Sequence, residues 1–333
     1  MANTLVTSSD SGVNFDPWKH SSSLLLRHSA ELDVFKEHRL VEDPEEADII
    51  LFAQMGDGGK FAERVRAHPY YARFPLKCFL FDSADTVFPV MPGIYASLTR
   101  ETYHPDHTRT GFYLYTIENA FITYQPPTGK EKHLASFVGS SFTHPVREKL
   151  FALNRKDIFL KDTSGYSGTI THHGDPAERE RFWSEYADSI GDAMFSLCPR
   201  GRGAGSIRLY ESMKMGRACV IISDAWQPND GIDWNSFSIR VPENDVTRIP
   251  EILEKHADRA AAMGVRARAE WEKWFSEKVR FHRAVELCLD IRQKREAAGR
   301  SRLYYHLRYI PLNLRRYFSS KKDLYRNHGR IYW

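Results

Sequence analysis

Met194-Phe-Ser-Leu-Cys-Pro199 is a short apolar run that ends at a proline, which predicts a buried strand. Arg200-Gly-Arg-Gly-Ala-Gly-Ser206 follows, and its three glycines allow tight backbone turns. Ser206 suits the N-cap of the next helix and Gly216 suits its end. The apolar run Ala218–Ser223 then predicts a second buried, parallel strand. The stretch therefore predicts a strand–loop–helix–strand unit.

The loop of this unit has the chemistry of a phosphate-binding site. Open α/β sheets bind ligands at the carboxyl ends of their strands, and a helix N-terminus offers N–H groups and partial positive charge. Arg200, Arg202 and Arg208 add cationic donors, and Glu211, one turn after Arg208, has the spacing to accept ribose hydroxyls. The pattern predicts a nucleotide diphosphate carrying a sugar; the alternative is an ordinary turn with solvated arginines and a glutamate paired to one of them.

Several segments resemble the exostosin family, glycosyltransferase family 47. Glu42–Phe52 is similar to its N-terminal segment and Leu134–Ser140 to the start of its second domain. The segments similar to its signature are Phe195–Glu211, Val220–Pro228, Ile232–Ile239 and Val241–Glu243. The resemblance implies an α/β fold of the GT-B type, with two Rossmann-like domains facing a cleft. It also implies transfer of a sugar from a nucleotide-sugar donor, a UDP-sugar for preference, to a saccharide acceptor with inversion.

Residues that match the family motif are expected to bind the donor. Arg147 lies early in a helix after the strand His133–Val138, where it would reach the diphosphate; the alternative is a surface arginine paired with Glu148. Arg208 is also expected to act in catalysis, by neutralising the leaving diphosphate. For Arg202, a solvated cation of the loop is the alternative to donor binding. The expected donor-binding residues are Arg147, Arg200, Gly201, Ser206, Arg208 and Glu211.

An inverting transfer needs a general base that removes a proton from the attacking hydroxyl. The candidates are Asp57, Asp82, Asp85 and Glu118. Asp82 is preferred because it follows the predicted strand Leu76–Phe81, at the strand end expected to face the cleft. Each of these carboxylates also suits a turn or a cap, which is the commoner role.

We expect no metal and no cofactor, with the nucleotide-sugar as a substrate, because the resemblance implies a GT-B enzyme that stabilises the leaving diphosphate with cationic side chains and a helix N-terminus. Asp82-Ser-Ala-Asp85 is one residue too long for an Asp-x-Asp metal motif. His104 and His107 lack a third and fourth ligand nearby, so a polar loop is preferred to a metal site there.

Length and composition indicate two globular domains: 333 residues, 42% hydrophobic and 27% charged. We expect an N-terminal Rossmann-like, acceptor-side domain at residues 1–130, a nucleotide-sugar-binding domain at 131–290, and a basic aromatic segment at 291–333. Ser23–Arg27 is expected as the first strand. The four scattered cysteines, the lack of a signal-peptide pattern and the lack of a long apolar run predict a cytoplasmic chain.

The C-terminal segment differs from the rest of the chain in charge. Residues 292–333 hold twelve basic and two acidic residues, a net charge of +10, so the remainder carries −6. Basic residues mixed with aromatic ones favour an anionic lipid surface, which predicts peripheral binding at the inner membrane face, where a lipid-linked glycan acceptor would be presented. The alternatives are an acidic glycan, nucleic acid, or a helix that packs back on the fold.

Two other functions compete with the transferase. A non-catalytic glycan- or nucleotide-sugar-binding subunit would need no general base. A nucleic-acid-binding protein would use the basic C-terminus and leave Glu211 without a role, so nucleic acid is not expected as a partner.

Overall fold

The computed structural model describes residues 1–9, 21–56, 60–114, 118–166, 170–171, 174–301, 303–305, 307–311 and 314. The chain divides into two units. The first unit combines Met1–Thr116 with Glu277–Trp333, and the second is Ile117–Ser276. Within the described residues, no helix is both long enough and apolar enough to cross a membrane.

Every described strand pairs in parallel with its neighbours, in two separate sheets. The strands are β1 (Asn3–Thr7), β2 (Arg39–Leu40), β3 (Ile49–Gln54), β4 (Cys78–Asp82), β5 (Gly93–Tyr95), β6 (Thr108–Thr110), β7 (His133–Gly139), β8 (Ile158–Asp162), β9 (Ala193–Pro199), β10 (Ala218–Ile222) and β11 (Ser238–Arg240). The first unit has the order β2-β1-β3-β4-β5-β6 and the second β11-β10-β9-β7-β8.

Helices form many of the crossovers between these parallel strands, whereas loops without a helix join β4 to β5 and β5 to β6. The helices are α1 (Ser21–Leu32), α2 (Lys60–Ala67), α3 (Pro69–Arg73), α4 (Pro145–Phe151), α5 (Pro176–Gly191), α6 (Ile207–Met215), α7 (Ile249–Glu254), α8 (Ala260–Trp274) and α9 (Arg280–Ala298). Two α/β units of this kind make up a GT-B fold, as the resemblance implied.

The predicted central unit is confirmed as β9, α6 and β10. The two strands pair in parallel with Leu197 opposite Val220, and both side chains are fully buried in the core of the second unit. Their position explains the continuous apolar runs, because a central parallel strand has both faces covered. Gly216 ends α6 with φ of 79°, a left-handed conformation that glycine adopts without strain.

The start of the chain differs from the prediction. Ser23–Arg27 lies inside helix α1 and is not a strand, whereas the first strand is β1, nearer the N-terminus. Leu26 is fully buried and Leu24 is 41% exposed. The leucine run therefore has one inward and one outward face, and is too short for its periodicity to be read from the sequence.

The structure also divides the chain differently from the predicted boundaries after residues 130 and 290. The first unit ends near residue 116, and the chain returns to it at Glu277. Helix α9 then packs on α1 and β5 of the first unit. Part of the expected basic segment is thus a component of this unit: α9 reaches Ala298, and residues 303–305 and 307–311 are also helical.

Candidate functional site

The glycine-rich loop joins the carboxyl end of β9 to α6. Ser206 is the N-cap residue of α6, with extended φ and ψ of −139° and 126°, as predicted. Its side chain makes no capping hydrogen bond among the described residues. The first turn of α6 therefore has no side-chain cap from this residue, and its N–H groups suit an anionic ligand.

Arg208 lies in that first turn and is 3% exposed. Its Nη2 donates to the carbonyl of Val138 near the end of β7, in a short contact. The guanidinium stands 4.4 Å from the ring centre of Tyr186 and 5.0 Å from that of Phe137. Its Nη1 has no hydrogen-bond partner among the described residues. A buried cation with an unused donor is costly unless an acceptor is supplied, and an anionic ligand would supply one.

Tyr186 connects Arg208 to Glu211. Its hydroxyl donates to Glu211 Oε2 while its ring lies against the Arg208 guanidinium. Burial raises the pKa of Glu211, opposed by the Tyr186 hydrogen bond and the Arg208 charge. Burial also raises the pKa of Tyr186 well above its usual value, so the hydroxyl remains a donor. We call Arg200, Ser206, Arg208, Glu211 and Tyr186 the loop–helix site.

Arg147 supports the glycine-rich loop. Its Nε donates to the carbonyl of Arg200 at 2.9 Å, and its two terminal nitrogens donate to the carbonyls of Ser140 and Pro199, each at 3.2 Å. A Cβ atom at Gly201 would approach Arg147 Nη2 to 3.0 Å, so glycine makes room for this guanidinium. Arg147 is not the surface arginine of the alternative, because it ties the carboxyl ends of β7 and β9 together.

Arg200 lies near Glu243, a carboxylate of the family-like stretch that was not among the predicted site residues. Its Nη1 is 3.7 Å from Glu243 Oε1, and its Nε is buried without a hydrogen-bond partner among the described residues. Glu243 also accepts from the backbone N–H of Asp224 at 3.0 Å. His144 Nε2 lies 4.0 Å from Glu243, and burial, followed by the Arg200 charge, lowers the pKa of His144. Arg202, in contrast, is exposed.

Serine hydroxyls gather at the carboxyl ends of β7 and β8. Asp162 accepts from the N–H of Ser141 at 3.0 Å and from the hydroxyl of Ser164 at 2.6 Å. The Ser164 oxygen also lies 3.2 Å from Ser140 Oγ. Burial opposes ionisation of Asp162, but these hydrogen bonds lower its pKa overall. The carboxylate thus fixes a polar loop next to the strand that carries Val138.

Asp82, the preferred base, lies in the first unit and is 7% exposed. Its Oδ1 accepts from the N–H groups of Gly56 and Ala84, both at 2.9 Å. A Cβ atom at Gly56 would come within 2.6 Å of both carboxylate oxygens. These contacts hold the carboxylate at the carboxyl end of β4, as predicted, and they also satisfy the turn-capping alternative. Its role as a base stays a prediction.

Two of the other carboxylates considered as bases contact different side chains. The phenol of Tyr113 donates to Asp85 at 3.2 Å, and Glu118 pairs with Lys214 at 3.3 Å. Asp57 lies outside the described residues.

The two loop histidines have protein partners. His104 pairs with Asp106. His107 Nε2 lies 2.9 Å from the carbonyl of Pro89, and its Nδ1 lies 3.0 Å from Arg295. These contacts occupy the ring nitrogens of His107, which fits the polar loop that was preferred.

One group of side chains in the described residues has the spacing for a metal ion. Glu37, His38 and His282 form it, in the first unit. His38 also lies 2.8 Å from Glu286. The group does not include any residue of the loop–helix site.

Comparison with known proteins identifies the domain that contains the loop–helix site. Residues 105–256 match the model of the exostosin GT47 domain. The exostosin-1 homolog of Caenorhabditis elegans is 33% identical over 136 residues, which cover 37% of this chain and 35% of that protein. Exostosin-1a of Danio rerio is 26% identical over 206 residues, 54% of this chain and 27% of that protein. The chain thus spans about a third or less of these relatives' length.

The solved structures that align with this chain have low sequence identity and low TM-scores. MurG of Acinetobacter baumannii aligns over 86% of this chain and 98% of its own, with 10% identity and a TM-score of 0.40. Anabaena HepE in complex with UDP aligns over 86% of this chain and 99% of its own, with 9% identity and a TM-score of 0.41. No conclusion about function follows from similarities at this level. Arg147, Arg200, Arg208, Glu211 and Glu243 all lie within residues 105–256, so the loop–helix site falls in the part of this chain that matches the exostosin GT47 domain.

Proposed function

We propose that this chain transfers a sugar from a nucleotide-sugar donor, a UDP-sugar, to a saccharide acceptor, with inversion at the anomeric carbon. The observation that carries the proposal is Arg208. It is a buried guanidinium in the first turn of a helix that follows a glycine-rich loop, and it has one nitrogen without a partner among the described residues. The GT47 match supports the reaction class, and the preference for UDP follows the family resemblance.

The donor binds at the loop–helix site in this proposal. The diphosphate accepts from Arg208 Nη1 and from the N–H groups of the first turn of α6, with Arg200 as a second cation. Glu211 accepts from the ribose hydroxyls, and the Tyr186 hydrogen bond fixes its orientation. Arg147 positions the loop through the carbonyls of Pro199 and Arg200.

The reaction has one proton transfer and one displacement. A carboxylate, assigned to Asp82, accepts the proton of the acceptor hydroxyl, whose oxygen bonds to the anomeric carbon as the bond to the diphosphate oxygen breaks. Negative charge develops on the leaving UDP, and Arg208, Arg200 and the α6 N-terminus stabilise it. Since cationic groups supply this charge, we propose that turnover needs neither a divalent metal nor a cofactor. Loss of turnover in EDTA, restored by manganese, would contradict this.

The biological setting stays a prediction from sequence. We propose a role in polysaccharide or glycoconjugate synthesis in the cytoplasm, with a free or lipid-linked glycan as acceptor.

The test is release of UDP from a panel of UDP-hexoses and UDP-pentoses, with and without a panel of saccharide acceptors. We expect one donor to release UDP in an acceptor-dependent way, and Asp82→Asn to lower kcat while leaving UDP affinity unchanged. Glu63→Gln is the matched control, because it removes one exposed carboxylate from the same unit, and it should leave kcat unchanged. UDP binding without release from any donor would favour the non-catalytic subunit, and absence of both would contradict the proposal.

A further inference from the structure

The chain beyond α9 continues as a helical segment anchored to the first unit. Residues 303–305 and 307–311 are helical, and Tyr305 and Tyr309 are 3% and 2% exposed. Both rings stack on His107, with centroid distances of 4.5 Å and 5.3 Å, and the hydroxyl of Tyr309 donates to the carbonyl of Thr102 at 3.3 Å. One face of this segment is therefore fixed on the loop before β6.

The opposite face is apolar and open to solvent. Leu303 is 62% exposed, Leu307 57%, Ile310 37% and Leu314 52%. Their spacing of four, three and four residues places them along one side of a helix. We call these four residues the leucine stripe. Exposed apolar side chains that are aligned in this way mark an interaction surface more often than scattered ones do.

Cationic side chains surround the base of the leucine stripe. A groove of about 700 Å³ in the first unit is lined by four arginines, by Glu296 as its one acidic residue among the described residues, and by Leu303 of the stripe itself; the arginines are Arg66, Arg292, Arg295 and Arg300. The walls between these arginines include apolar groups such as Leu76, which is 73% exposed. Groove and stripe are thus continuous, and Arg308 adds a further exposed cation beside Leu307.

The arginines at the groove are held in place by the fold. Arg300 Nη1 donates to Asp106 Oδ2 at 3.1 Å, and the guanidinium of Arg295 lies 4.6 Å from the ring centre of Tyr305. Arg292 donates to the carbonyl of Asp48 at 3.2 Å. The charge at this surface is therefore ordered before any partner binds.

The sequence that follows carries the same chemistry. Residues 315–333 contain six basic residues and one acidic residue, with five aromatic residues among them. Basic and aromatic side chains next to an exposed apolar helix face match a bilayer surface, where leucines enter the acyl boundary and cations meet lipid phosphates.

We propose that the leucine stripe and the arginine groove together dock this chain on the surface of an anionic lipid bilayer. Charge complementarity favours this occupant, because cations border the stripe and continue along residues 315–333. Nucleic acid would use the cations but not the leucines. The surface belongs to the first unit, so docking leaves the residues of the loop–helix site in the second unit unused.

The test is co-sedimentation of the full chain with vesicles of phosphatidylcholine alone and of phosphatidylcholine mixed with phosphatidylglycerol. We expect binding to the mixed vesicles only, weakening as salt rises past physiological strength. Leu307→Gln should weaken binding about tenfold. Arg308→Gln should weaken it about fivefold. These substitutions lie on the exposed face and spare Tyr305 and Tyr309, so circular dichroism should match that of the unsubstituted chain.

Two matched controls lie in the second unit. Val265→Gln removes an apolar residue that is 53% exposed on α8, and Lys255→Gln removes one exposed cation. Both should bind vesicles as the unsubstituted chain does. The proposal would be overturned by equal binding to neutral vesicles, by equal losses in variants and controls, or by no binding at all. Binding to a duplex oligonucleotide that Leu307→Gln leaves unchanged, without vesicle binding, would assign the surface to nucleic acid instead.

Discussion

Arg208→Lys tests whether the guanidinium of the loop–helix site binds the donor diphosphate through its geometry as well as its charge. The guanidinium uses Nη2 for the carbonyl of Val138, stacks on Tyr186 and Phe137, and has Nη1 left for a ligand. Lysine keeps the charge but has one compact ammonium group, which cannot take the place of both terminal nitrogens.

The expected magnitude follows from the contact that is lost. A hydrogen bond to a charged group contributes about 1.5–3 kcal/mol, and about 1.4 kcal/mol changes affinity tenfold. Arg208→Lys should therefore weaken UDP binding about tenfold, and Arg208→Met, which also loses the charge, about 100-fold. The loss in kcat should exceed the loss in donor affinity, because charge on the diphosphate grows towards the transition state.

Calorimetric titration with UDP at fixed ionic strength measures the affinity, and urea unfolding confirms that each variant is folded. Arg202→Met is the matched control, since it removes an exposed arginine from the same loop. It should change UDP affinity by less than about threefold, as expected of a screened surface charge. Near-normal UDP affinity in Arg208→Lys, or equal losses at positions 202 and 208, would show that the Arg208 guanidinium does not bind the diphosphate.

Three further predictions concern the hydrogen bonds, titration and backbone of the fold. Tyr186→Phe keeps the ring under Arg208 but removes the donor to Glu211, so UDP affinity should fall about tenfold in calorimetry; unchanged affinity would exclude this hydrogen bond from donor binding. Burial, with the nearby Arg295 charge, lowers the pKa of His107 to about 3. A lowered pKa contributes stability that is fully present above about pH 6.5 and is lost as pH falls towards 3. Between pH 6.5 and 5, the free energy of unfolding of the unsubstituted chain should therefore fall about 2 kcal/mol further than that of His107→Gln. Parallel urea-unfolding profiles of the two proteins would contradict the pKa shift. Gly216→Ala should destabilise the chain by more than about 1 kcal/mol in urea unfolding, because φ is 79° and the added Cβ would meet an aromatic ring at 2.7 Å. Its control is Gly299→Ala, which has φ of 60° and open space; an equal cost at both positions would show that the ring contact has no effect.

The sequence predicted the central unit because its local signals agree with each other. Apolar runs, three glycines, an N-cap serine and a terminal glycine all indicate the same strand–loop–helix–strand unit. The structure confirms β9, α6 and β10, with Ser206 and Gly216 at the ends of the helix. Arg208 and Glu211 come from this unit, so their shared helix face was predictable from spacing alone.

The long-range contacts of the loop–helix site were harder to predict from the sequence. Tyr186 lies on α5, far from the loop in sequence, and only its spacing from Phe182 and Ile190 indicates an inward face. Glu243 follows a short strand, β11, whose pairing with β10 brings it near Arg200. No local pattern reports which strand ends meet, because sheet order depends on the packing of the whole unit.

The return of the chain to the first unit could not be predicted from the sequence. Helix α9 follows α8 after only five residues, so no long linker marks the boundary. The basic composition of the C-terminal segment instead indicated a separate segment. The contacts of Tyr305 and Tyr309 with His107 depend on a loop almost 200 residues earlier. Composition predicted a cationic surface there, but not which aromatic residues would be buried and which leucines would stay exposed.

A crystal structure of the full chain with UDP would show directly whether the loop–helix site binds the donor. The diphosphate should lie within hydrogen-bond distance of Arg208 Nη1 and the first-turn N–H groups of α6, and the ribose hydroxyls should lie on the Glu211 carboxylate. UDP bound elsewhere, or bound with its diphosphate away from Arg208 and its ribose away from Glu211, would contradict the proposed donor site.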